Sequence, residues 1–234
     1  LGPRQGRARL AAAMGGVGRA TAAETNAPST ITYTGVSQRM DDRFHTAEGY
    51  THNIIVRRGD PILKGAPQFD PRDIDPDAAA RQFGDNNDFL AFRPMHSRRD
   101  GTRRGLLIAN HEFVDVRTFV PDYETQLKNP NLWRMAQMAH GLSVVAVEED
   151  RHSRAWHLAP LSDRAAGLNR RITAHTPMRI AGPAAGHRRM ATSYSPDGML
   201  ALGTFGNCAG GMTPWGTVLT AEENVQFYFS GDPT

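Results

Sequence analysis

The chain has 234 residues, room for one large domain or two small ones, and 39% of them are hydrophobic, enough to build a core. A formal charge of only +3, with arginine pairs scattered at 57–58, 98–99, 103–104, 170–171 and 188–189 and no aromatic ladder beside them, excludes a nucleic-acid platform; these pairs read as solvated surface charge. The single cysteine excludes an internal disulfide framework, and no run of eighteen apolar residues is present to span a membrane.

Residues 1–27 carry Arg4, Arg7, Arg9 and Arg19 among alanines and glycines, with Glu24 the only acid. They read either as a disordered arm or as the remnant of an export signal, with Ala20-Thr21-Ala22 as a small-residue cleavage site. The start at Leu1 and the stop after Pro233-Thr234 suggest a fragment cut at both ends. Residues 28–234 are taken as one domain.

Within it, β-branched and aromatic residues predict strands over 30–34 and 53–57, the second ended by the turn Arg58-Gly59-Asp60-Pro61. Asp70-Pro71 and Asp75-Pro76 predict a loop running into a short helical turn at 78–81. A hairpin follows: a strand over 88–92, a polar loop over 96–104 and a strand over 105–110. Leu132, Met135, Met138 and Ala139 recur at helical spacing, with Asn129 as cap, Pro130 early and Gly141 as stop, so 129–141 is the best helix. Residues 142–148 then form a strand with 156–158 as its return partner. Further strands are expected over 190–194, 200–204, 217–220 and 226–229, with Ser195-Pro196-Asp197-Gly198 as a turn. Raised glycine (23) and proline (15) agree with many short strands and long loops. The fold class is therefore all-β with one or two short helices; a sandwich, a barrel and a propeller all satisfy the pattern, and no blade-length repeat selects among them.

Three clusters carry possible chemistry. Asn86-Asn87-Asp88 precedes a strand and serves equally as a turn, because Asn and Asp bond their own backbone. Asn110-His111-Glu112 leaves a strand at a rim, where Asn110 and Glu112 offer oxygens to a hard cation such as calcium; a surface His-Glu pair is the plain alternative. The third runs from Gly203 to Asn224. Cys208, between Asn207 and a Gly-Gly pair, is expected on a tight turn, and Glu222 and Glu223 follow 14 and 15 residues later across an expected strand. A thiolate with carboxylates can hold a transition metal; a buried cysteine in a Gly-rich turn is the alternative.

The segments GDPILKGAPQFDP (59–71), QFGDNNDFLAF (82–92), GLLIANHEF (105–113), MAQMAHGLSVVAVE (135–148), NRRITAHTPMRIAGPAAGH (169–187) and LGTFGNCAGGMTPWGTVLTAEEN (202–224) resemble, in order, the PhoX family of alkaline phosphatases. The resemblance implies part of a β-propeller around an iron and calcium site, exported to the periplasm or beyond by the twin-arginine route. It implies that Cys208 in Asn-Cys-Ala-Gly-Gly bridges two irons, that Glu223, with Glu222 in reserve, is an iron ligand, and that Asn110, Glu112 and Asp88 serve calcium. Cys208 and Glu223 are then the catalytic residues. The implied activity is hydrolysis of small phosphate monoesters by a monomer with no membrane span. The chain departs from the family at Leu200, where a phosphate-binding lysine can stand eight residues before the cysteine, and at Gly206 and Ala221. Leu200 keeps two alternatives open: a calcium-stabilised propeller that binds without catalysis, and a phosphodiesterase or lactonase on the same scaffold.

Overall fold

The structure is a computed structural model that describes residues 34–228, and the chain divides into two units, Leu1–His52 and Asn53–Thr234. The arm at 1–27 and nearly all of the strand expected at 30–34 lie outside the described residues. In the first unit, residues 34–52 form turns without strand or helix, with the Phe44 ring against His52 at 4.7 Å.

The second unit is mostly strand. A five-stranded antiparallel sheet contains β1 (Asn87–Met95), β2 (Arg104–His111), β3 (Gly141–Glu149), β4 (Trp156–Leu158) and β5 (Arg170–Ile172). β3 is its spine. It pairs with β2 along its whole length, with β5 at its start (Leu142 opposite Ile172) and with β4 at its end (Val147 opposite Leu158). The apolar run in β3 is buried on both faces: Val145 and Val147 pack with Ile62, Phe83 and Ala109, while Ala146 packs with Ala159 and Ala165. That is why its sequence does not alternate. β1 lies at the sheet margin, where Pro94 removes no needed donor. Two ribbons follow, β6 (Thr176–Arg179) with β7 (Leu200–Gly203), and β8 (Asn207–Met212) with β9 (Val218–Glu222). None of these sheets closes into a barrel.

Among the described residues the α-helices are α1 (Pro76–Ala79), α2 (Tyr123–Gln126) and α3 (Pro130–Ala139). In α3 the Asn129 side chain accepts from the Asn131 amide at 3.0 Å, and Leu132, Met135 and Ala139 are buried. Leu132 and Met135 pack with Ala79, Val116 and Val120 in a second core cluster. The helix stops where Gly141 takes φ +93°; a side chain there would strike the Ile172 carbonyl, so the corner from α3 into β3 requires glycine. Among the described residues no helix is long and apolar enough to cross a membrane.

Several expectations are corrected. Residues 53–57 pair with no strand, although Ile55 and Val56 still pack on the core. Residues 188–190 form a 3₁₀ turn capped by His187, and 191–194 form no strand. Val225–Tyr228 is a 3₁₀ turn where a strand was expected. Strands β5, β6 and β8 were not anticipated, so Cys208 stands in a strand and not on a tight turn. Nor are the arginine pairs all solvated. Arg98 bridges Glu148 and Asp163, Arg103 pairs with the buried Glu149, and Arg58 stacks between Phe69 and Phe119.

Candidate metal centre

The site forms where the β8–β9 ribbon packs against β1 and β2. Asp88 sits in a bulge at the start of β1, where the register with β2 shifts between Asn87 and Leu90. Glu112 is the first residue past β2, and its amide donates to the Asn86 carbonyl at 3.1 Å, tying the two acidic segments together. Cys208 is the second residue of β8 and lies in another bulge, between Asn207 and Gly210. Bulges re-aim side chains at sheet rims, and here two of them face each other. The Cys208 sulfur and one carboxylate oxygen each from Asp88 and Glu112 all lie within 4.8 Å of one another. Glu223, just past β9, lies near enough for its carboxylate to raise the Cys208 thiol.

Close packing around the site needs glycine at two places. A Cβ on Gly210 would run into the Phe89 ring of β1, and one on Gly84 would run into the His111 ring and the Ala139 carbonyl. The second contact explains why the Gly84-Asp85-Asn86 loop lies tight against the end of β2.

Four acids crowd one another at this point. Hydrogen bonds to Asp88 and Glu223, together with their charges, push the Cys208 thiol up to about 12. Desolvation, then the charges of Asp88 and Glu223, raise Glu112 above the ordinary carboxylate range. Protons are held here because like charges cannot all be released at once. A multivalent cation would reverse both shifts by favouring the ionised forms. The donor set, one sulfur with three carboxylates, has the composition of a transition-metal site and fits such an ion.

The remaining expected ligands lie elsewhere. Glu222 accepts from the Thr204 hydroxyl at 2.5 Å and the Phe205 amide at 3.2 Å, which turns it toward the Gly203–Phe205 segment. Asn110 is wholly buried; its amide nitrogen donates to the Cys208 carbonyl at 2.9 Å and its oxygen accepts from Thr220 at 3.0 Å. Leu200 opens β7 and is 41% exposed. Sequence reasoning overlooked Thr220 and His140, which no spacing pattern marks, and the surface His-Glu alternative is corrected because His111 is wholly buried. His111 accepts at Nε2 from Ser143 (2.8 Å) and the Gly84 amide (3.3 Å), and Nδ1–H donates to the Asp85 carbonyl at 3.2 Å. Only a neutral ring satisfies all three bonds, and burial holds its pKa well below the usual value. His140 donates from Nδ1 to the Glu112 carbonyl at 3.0 Å.

The family model described as alkaline phosphatase PhoX matches residues 31–234. The chain belongs to the PhoX family. A solved PhoX structure from Pseudomonas fluorescens, in complex with vanadate as a transition state analogue, is similar to it at 35% identity with a TM-score of 0.69. The likeness covers 80% of this chain and 32% of that one, so the chain spans about a third of that PhoX. No curated protein matches the chain.

Proposed function

We propose that the protein is a metal-dependent phosphomonoester hydrolase whose cation centre is held by Cys208, Glu223, Asp88 and Glu112. The observation that carries this reading is the meeting of the Cys208 thiol with the Asp88 and Glu112 carboxylates from three separate segments, with the Glu223 carboxylate near enough to raise the thiol, a crowding of acids that a cation would relieve. Membership of the PhoX family and likeness to a PhoX that binds a transition-state analogue support it.

When bound, the cations would polarise phosphate oxygens and offset the negative charge that builds in the transition state. The chain's own residues supply the frame. Cys208 and Glu223 anchor iron, the softer sulfur donor suiting a transition metal, and the oxygens of Asp88 and Glu112 suit calcium. The two facing bulges hold these side chains at fixed separation, and His111 and His140 tie down the Asp85 and Glu112 backbone beneath them. We read the sheets as part of a β-propeller, the substrate as a small phosphate ester, the protein as a monomer and its location as periplasmic or secreted.

The test is elemental analysis with p-nitrophenyl phosphate hydrolysis at alkaline pH, before and after chelation. Iron with calcium and chelator-sensitive turnover are expected. Turnover that survives both chelation and Cys208→Ser would sink the reading. Leu200 favours one rival, a binding module without turnover, which requires calcium alone and no hydrolysis.

A further inference from the structure

We infer that Asn110 and Thr220 are positioning residues that set the place of Cys208 by clamping the backbone of its bulge. The inference rests on the proposed reading of Cys208 as a metal ligand and adds to it the device that holds the ligand in place.

Strand β8 loses register with β9 between Asn207 and Gly210, so Cys208 and Ala209 are the two residues that fall out of the ladder. Bulged residues leave ladder groups unpaired, and such groups need another partner. Asn110 of β2 supplies it. Its Nδ2 donates to the Cys208 carbonyl at 2.9 Å and to the Ala209 carbonyl at 3.2 Å. Both carbonyls of the bulge are therefore held by one side chain from the neighbouring sheet.

That side chain is itself fixed. Asn110 Oδ1 accepts from Thr220 Oγ1 at 3.0 Å, and Thr220 Oγ1 accepts from Asn207 Nδ2 at 2.9 Å. Asn110 and Asn207 are both essentially excluded from water, at 0% and 1% exposure. The hydroxyl links β9 to both sides of the bulge, and its orientation also decides which end of the Asn110 amide faces β8. With the carbonyl end occupied by Thr220, the amine end must point at Cys208 and Ala209. All the amide's atoms are engaged within this chain, which leaves Asn110 no oxygen turned toward the carboxylates.

The same strand end delivers Glu112, two residues after Asn110. Glu112 and the backbone of Cys208 are thus referred to one stretch of β2, and the distance between their ligand atoms is set by short, buried links. Such supporting groups around a metal ligand typically carry about 10–100-fold in metal affinity.

The experiment uses iron(III) as the probe and compares Thr220→Val, Thr220→Ser, Asn110→Ala and Asn110→Asp in the metal-loaded protein. Removing the hydroxyl with Thr220→Val is expected to lower iron affinity about 10–100-fold and to shift or weaken the thiolate-to-iron charge-transfer absorption, while Thr220→Ser retains both. Asn110→Ala should do the same, and the double variant should be no worse than Asn110→Ala alone, because the two changes break one chain of bonds. Should Asn110→Ala fail to fold, the Thr220 pair, neither of them a ligand, still decides. A folded Thr220→Val protein with parental affinity and absorption overturns the inference. So does an Asn110→Asp protein that binds iron or calcium more tightly than the parent, the behaviour of a direct ligand. Absence of the absorption band from the parent protein itself would instead remove the metal reading of Cys208, and this inference with it.

Discussion

Gly206 and Glu223 are locked together through their backbones: the Glu223 amide donates to the Gly206 carbonyl at 2.7 Å, and a Cβ on Gly206 would collide with the Glu223 carbonyl oxygen. Gly206 also holds φ +65°, the left-handed region. Gly206, read from the sequence as a departure from the family's pattern, thus holds a geometry that only glycine meets comfortably. Gly206→Ala is expected to cost about 1–2 kcal/mol from the backbone conformation alone. The collision is with main chain, which cannot swing aside as a side chain can, so the Gly206–Glu223 contact must open and disturb the placing of Glu223. Urea denaturation and iron content check both effects. An alanine variant with parental stability and parental iron would count against the lock.

Proton release should accompany metal loading. Cys208 is pushed up to about 12 and Glu112 is raised, so the metal-free site retains protons that the ionised ligands must lose. The sign follows: affinity falls as pH falls, because protons compete with the cation. For the metal-free fold the raised Glu112 acts in the opposite sense. Its stabilising contribution is complete below the unfolded carboxylate value and is lost as pH rises through the raised folded value. Titration calorimetry in buffers of different ionisation enthalpy measures the protons released. Cys208→Ala should lower that number, and an unchanged number would place the proton elsewhere.

The histidines impose the opposite slope. Burial lowers the His140 pKa from 6.5 to about 4, and the Arg171 charge helps to keep it down. His111 is lowered by the same causes. A depressed folded pKa means stability that is present above the unfolded value and lost as pH falls toward about 4. For His140 this amounts to about 3 kcal/mol over that window. Urea midpoints recorded from pH 7 to pH 4 should fall steeply. His140→Asn keeps a donor for the Glu112 carbonyl but does not titrate there, so it should flatten the slope; an equally steep fall in that variant would exclude His140 as the source.

What could be read from the sequence divides along a physical line. The hairpin of β1 and β2, the α3 helix with its Asn129 cap, and the pairing of β3 with β4 were legible because each is coded locally, by periodicity and capping residues. Strand β8 was not, since Asn207-Cys208-Ala209-Gly210-Gly211 has turn composition; its glycines serve close packing on Phe89 and its bulge is held from β2. The meeting of Asp88, Glu112 and Cys208 was anticipated by resemblance and not by spacing, for the three come from distant segments. Asn110 was legible as polar at a strand end, but its direction was not. Orientation depends on Thr220, which lies 110 residues away.

Arg171 offers a test of how the floor of the site is held up. Among the described residues it has no carboxylate partner; its guanidinium donates to five carbonyls, those of Gln82 (3.0 Å), Met138 (2.6 Å), His140 (2.7 Å), Leu142 (3.1 Å) and Ile172 (2.5 Å). Desolvation lowers its pKa to about 9, which still leaves it charged at neutral pH. These carbonyls belong to the segment before the Gly84–Asp88 loop, the end of α3, the start of β3 and β5, so one planar fork joins every element beneath Glu112 and Asp88. Lysine has three donors and no fork. Arg171→Lys must leave at least two carbonyls without a donor, at about 1–3 kcal/mol each. Arg171→Met leaves all five and should destabilise more, unfolding at markedly lower urea. Because His140 is one of the five, both variants should also loosen the Glu112 backbone and lower metal affinity. An Arg171→Met protein within about 0.5 kcal/mol of the parent would mean that the fork is dispensable, as an ordinary surface residue is.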